Sequence, residues 1–104
     1  MSLSHYQRAA TREELSANLA LSGLSVADAA AAVGIGSARV QAALDVAGAQ
    51  PQDVWLVRDY LDRVIRSNGG TPRTYSSLTE QMRAAAQAWF PLTDVDDVMN
   101  RTRG

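Results

Sequence analysis

Apolar residues recur along this chain at spacings of three and four, punctuated by small polar residues, glycines and prolines, which is the pattern of consecutive short amphipathic helices. Thr11 and Glu14 have the spacing of a capping box, so a first helix is expected to begin at Thr11, to turn Leu15 and Leu19 inward with Ala9 or Leu21, and to end at Ser22-Gly23. Ser25 then caps a second helix, with Asp28 at its third position, Val26, Ala29, Ala30 and Val33 inward, and Gly34 as its stop. After Ile35 and Gly36, Ser37 is expected to cap a third helix with Val40, Ala43, Leu44 and Ala47 inward.

Gly48 to Gln50 read as a loop, and Pro51 suits the first position of a fourth helix. Val54, Val57, Leu61, Val64 and Ile65 form its stripe, Trp55 and Tyr60 flank it, and Arg58, Asp59, Asp62, Arg63 and Arg66 lie outside. Asp59 and Asp62 stand four residues before Arg63 and Arg66, a favourable order for ion pairs. Asn68-Gly69-Gly70 closes the helix, and the residue before Pro72 is pushed out of helical geometry, so 71–75 should be an extended connector. Ser77 and Glu80 predict a capping box for a fifth helix running toward Trp89 and Phe90, and Pro91 ends it. A short sixth helix follows from Thr93, with Asp96 at its third position and Val95, Val98 and Met99 inward, before a fraying tail.

The predicted fold is all-α, a single helical domain over 1–104. The length of 104 residues with 46% hydrophobic positions suffices for one core and not two. There is no cysteine, which argues against a disulfide scaffold and a thiolate zinc site and fits a reducing cytoplasm. The longest nearly uncharged stretch, Ala29 to Ala38, is about half of what a bilayer requires. Met1 to Arg8 contain no apolar signal core, so the chain is expected to be the whole mature protein.

Two short helices joined by a glycine-containing turn describe a helix-turn-helix, and individual positions agree with it. Ala30 provides the small side chain needed where the helices cross, Gly34 begins the turn, and Ile35, Val40 and Leu44 hold the pair at its angle. Their spacing resembles the phage-repressor type, with Val26 to Asp45 as the twenty-residue unit. The helix-turn-helix then spans about 25–47 and the C-terminal helical extension about 52–101.

A wider resemblance rests on Met1-Ser2-Leu3, Ser22-Gly23-Leu24-Ser25, Val33-Gly34, the helix from Arg39 to Leu44, the segment from Asp53 through Trp55 to Tyr60-Leu61, Thr71-Pro72, Tyr75 and Trp89-Phe90. Together they resemble the bacterial domain of unknown function 2316 family. The segment from Trp55 to Leu61 is the most specific part, and similarity is weakest after Phe90. The resemblance implies a small cytoplasmic helix-turn-helix protein, with no catalytic residues to carry over.

If the third helix enters a major groove, Gly36, Ser37, Ala38, Gln41, Ala42 and Asp45 face the bases. Gln41 suits adenine, Ser37 a base or a phosphate, Ala38 and Ala42 a thymine methyl, and Arg39 at the edge a phosphate. Arg8 and Arg12 are further phosphate candidates. All ten basic residues are arginine against eleven acids, a formal charge of −1, so attraction to nucleic acid must come from local placement, around Arg8, Arg12 and Arg39 with the aspartates elsewhere. So few cations favour a homodimer, for which Trp55, Tyr60, Trp89 and Phe90 are the candidate contacts. The expected function is therefore a DNA-binding transcriptional regulator acting on double-stranded DNA. The alternative is a protein-interaction module that uses the same nearly uncharged helix face. A pocket for an apolar effector between the fourth and fifth helices is a third possibility.

Enzymatic chemistry has little to build on. His5 is the only histidine and lies in an N-terminus expected to be mobile, and Asp94, Asp96 and Asp97 read as a solvated helix start before they read as a cation site. Gly34-Ile35-Gly36 is no dinucleotide fingerprint, because no strand precedes it and Arg39 stands where the third glycine belongs. Neither catalytic residues, a metal nor a cofactor is expected.

Overall fold

The computed structural model describes residues 4–88, 92 and 94–103, and among them all regular structure is helical. Six helices follow in order: α1 (His5–Ser22), α2 (Val26–Val33), α3 (Ser37–Asp45), α4 (Pro51–Ser67), α5 (Glu80–Gln87) and α6 (Val95–Arg103). The Trp89, Phe90, Pro91 and Thr93 of the expectations above lie outside the described residues.

Local chemistry explains most helix ends. The Ser25 hydroxyl accepts from the Asp28 amide at 3.1 Å while the Asp28 carboxylate accepts from the Ser25 amide at 3.1 Å, so two otherwise unpaired donors are satisfied at the start of α2. Gly34 closes that helix at φ 73°, where a Cβ would be strained. Pro51 is the first residue of α4, whose first turn has no use for the missing N–H.

Three starts differ from expectation. A capping box between Ser4 and Gln7 opens α1, so the helix begins six residues before Thr11 and includes His5. Ser37 lies inside α3, behind a Gly36 cap with no side-chain bond. At α5 the Thr79 hydroxyl, not that of Ser77, accepts from the Met82 amide. The last helix, α6, extends to Arg103, into the segment expected to be its tail.

The core forms where α1, α2 and α3 surround α4. Leu15, Val40, Val57 and Leu61 are fully enclosed, and Ala29, Ala30, Val33, Ala43, Leu44 and Ile65 fill the space between them. The first half of α4 is enclosed on all sides, because Asp53, Val54, Trp55, Leu56 and Val57 are consecutive and all buried. A helix buried all round has no flank left for a partner. Trp55 and Tyr60, expected at a dimer contact, therefore belong to the interior of the single chain.

The inward face of α1 is largely polar. Thr11, Glu14, Asn18 and Ser22 are buried on one stripe beside Leu15. Across from it runs the segment 70–75, which has no regular secondary structure. The Asn18 side chain donates to the Arg73 carbonyl at 3.0 Å and accepts from the Arg73 amide at 2.7 Å, in the manner of a neighbouring strand. One turn earlier, Glu14 accepts from the amide of Ser76 at 3.1 Å and from its hydroxyl at 2.8 Å. Thus α1 latches the connector that carries Tyr75 and Leu78 into the core.

Candidate nucleic-acid interface

The helix pair α2 and α3 is joined by Gly34, Ile35 and Gly36, and α2 leaves α1 at 90°. Val40, Ala43 and Leu44 point into the core, so the period of the helix turns the other residues outward. Gly36, Ser37, Ala38, Arg39, Gln41 and Asp45 are exposed and Ala42 is half-buried. Because no side chain caps α3, the first-turn amides of Ser37 and Ala38 face outward without a side-chain acceptor.

The polar groups of this face are held. Arg39 donates through Nε at 3.0 Å and Nη2 at 2.7 Å to the two carboxylate oxygens of Asp53, a bidentate pair across α3 and α4. Asp53 is almost wholly buried, whereas the Arg39 side chain remains 55% exposed. Hydrogen bonding to Asp53, reinforced by its charge, holds the guanidinium above its ordinary range. Gln41 donates to Asp45 one turn later at 3.1 Å, which leaves its carbonyl oxygen and one N–H for other partners. The aspartates are thus not elsewhere: Asp53 stands against Arg39 at the edge of the face and Asp45, itself on the face, against Gln41.

The remaining candidates divide. Arg8 and Arg12 are exposed one turn apart on α1 and make no ion pair among the described residues. Trp55 and Tyr60 are buried, and Trp89 and Phe90 fall outside the described residues.

A second group of charges fills the cleft between α4, α5 and α6. Arg83 donates from Nη1 to Asp59 at 2.9 Å and from Nε to Glu80 at 2.9 Å, with its guanidinium 4.8 Å from the centre of the Trp55 ring. Arg58 donates to the Leu78 carbonyl at 3.1 Å and to Asp59 at 3.0 Å, and lies 4.9 Å from the centre of the Tyr75 ring. Burial pushes the Tyr75 phenol up to about 12, so it stays protonated at neutral pH. Asp59 is therefore the partner of Arg58 and Arg83 and not of Arg63, which pairs with Asp96 of α6; the expected pair of Asp62 with Arg66 forms at 3.0 Å.

This cleft, about 380 Å³, is lined by Asp59, Arg63, Glu80, Arg83 and Asp96, with Leu92 and Val95 as apolar exceptions. It does not suit the apolar effector considered from sequence, because ligand burial would desolvate paired charges. Asp94 caps α6 by accepting from the Asp96 amide at 2.8 Å, the role of a helix start.

Sequence reasoning missed Asp53, whose role depends on a residue 14 positions away, and placed the α1 cap at Thr11 although Ser4 and Gln7 carry the same motif. A family profile described as uncharacterized protein conserved in bacteria (DUF2316) matches residues 1–91. The chain belongs to that family. No curated protein and no solved structure matches it. The DUF2316 match includes α1 to α5 and stops before α6. Among the described residues, no single helix is long and apolar enough to cross a membrane.

Proposed function

We propose that this DUF2316 protein is a DNA-binding regulator with α2 and α3 as a phage-repressor-type helix-turn-helix and α3 as the reading helix. The observation that carries this reading is the outer face of α3, where Ser37, Ala38, Arg39 and Gln41 stand exposed on a helix anchored by Val40 and Leu44. Small residues at Ser37, Ala38 and Ala42 let such a helix approach base edges, and Gln41 supplies a donor and an acceptor at the spacing adenine needs. Arg8 and Arg12 supply phosphate contacts from α1. With so few cations the reading includes two copies on paired half-sites, held by a surface other than Trp55 and Tyr60.

One observation favours a second reading, a protein-docking face. Arg39 is already neutralised by Asp53, which reduces the net attraction of α3 for a polyanion. Salt separates the two. Selection of duplexes from a random library at about 50 mM salt, followed by anisotropy titration, should recover a sequence whose binding weakens steeply with salt and is damaged by Gln41→Ala. Failure to enrich any duplex removes the DNA reading.

A further inference from the structure

We infer that Asp53 is a positioning residue that aims Arg39 at a nucleic-acid phosphate, so that Arg39 contributes affinity and register and not base recognition. The inference rests on the DNA reading of α3 and concerns how that helix is seated.

The geometry begins with the donors. A guanidinium has five N–H groups in a rigid plane, and Asp53 occupies the edge formed by Nε and Nη2. The edge formed by Nη1 and the outer N–H of Nη2 is left, and more than half of the side chain is open to solvent. The planar fork cannot swing, because the carboxylate that grips it is buried and belongs to the first turn of α4. Without this grip an exposed arginine samples many rotamers, and ordering it on a ligand costs free energy each time. Here that ordering is complete before any ligand arrives. Leaving would expose Asp53 as an unpaired buried carboxylate, so the pair holds.

Position decides what the free edge meets. Gln41 points outward with Ala38, whereas Arg39 is drawn sideways toward α4 by Asp53. When a helix lies in a groove, residues at the flank toward the next helix meet the sugar-phosphate wall, and those on the outer face meet base edges. A fork with two parallel donors matches two phosphate oxygens.

The test uses the full chain and a duplex recovered by selection. Arg39→Ala is expected to weaken binding about tenfold on the selected duplex and on base-substituted versions alike and to lower the slope of log affinity against log salt by about 0.9. Asp53→Asn, although it removes a negative charge, is expected to weaken binding to a similar extent because Arg39 loses its aim, and the two are expected to be no worse combined than singly. Phosphate-ethylation interference on the wild-type protein should show a position that disappears in Arg39→Ala; this readout does not depend on whether Asp53→Asn folds. Unchanged or tighter binding by a folded Asp53→Asn variant, a loss confined to one base pair, or an unaltered interference pattern would each overturn the inference while the DNA reading stands. If the wild-type protein selects no duplex, the underlying reading fails first and this inference with it.

Discussion

The four helices from α1 to α4 and the two that follow are held together by different physics. In the first region apolar side chains interlock around α4, and Leu15, Val40, Val57 and Leu61 are at most 1% exposed. In the second, α5 contains no fully buried residue: only Met82 and Ala86 pack partly buried against the core, and charge adds the rest, Arg83 to Asp59 and Glu80, with Arg58 bound to the carbonyl of Leu78 just before the helix. Helix α6 combines the two, with Val98 buried and Arg63 paired to Asp96. Apolar burial adds up over area and is insensitive to salt, whereas partly exposed ion pairs contribute little each and are screened. The comparison predicts a body that unfolds as one unit and a C-terminal region that opens below the global transition.

The largest effect should come from the middle of the body. Leu61→Ala removes a fully enclosed side chain where the helices meet, with an expected loss of about 2–5 kcal/mol in urea unfolding and a single cooperative transition. If the variant loses stability only in α5 and α6, the division is drawn in the wrong place. Asn18→Ala is next. It leaves the amide and carbonyl of Arg73 without their partner and should cost about 2 kcal/mol, with hydrogen exchange at Arg73 accelerating well beyond that of α4. Equal acceleration in both would show that connector and body are one cooperative unit.

Acid should produce the smallest and most local change. Hydrogen bonding to Arg83 holds the Glu80 carboxyl below its usual range, and hydrogen bonds from Ser25 do the same for Asp28. A lowered folded-state pKa means stability that is fully present above the usual carboxylate range and is lost as pH falls through the lowered values. The exposed Glu80 pair contributes less than about 1 kcal/mol, so amide exchange in α5 should rise as the pH drops below about 4 while α4 remains protected. Simultaneous loss in α4 and α5 would erase the contrast.

Helix ends were legible because their chemistry is local. Ser25 with Asp28, Gly34 and Pro51 act within a turn of themselves, and the structure has them where periodicity predicts. The same locality explains the outer face of α3, since Val40 and Leu44 fix which way the helix is turned. What escaped depends on distant partners. The polar side of α1 resembles a solvent face, because Glu14 and Asn18 find Ser76 and Arg73 at separations of 62 and 55 residues. Periodicity puts Trp55 and Tyr60 on a flank because it reports a stripe and does not report whether neighbours close over the opposite side. The role of Asp53 was hidden for the same reason, as an acid in a first turn ordinarily serves its own helix.

The latch between Asn18 and Arg73 also orders events in time. Joining two points 55 residues apart carries a loop-closure cost that neighbouring helices do not face, and the cost falls once the intervening chain is compact. On a ribosome, Asn18 emerges long before Arg73, with the whole of α2, α3 and α4 between them. The first four helices can therefore assemble most of the core while Asn18 still waits for its partner, and the capture of Arg73 becomes a late step that seats Tyr75 and Leu78 and brings the C-terminal helices home.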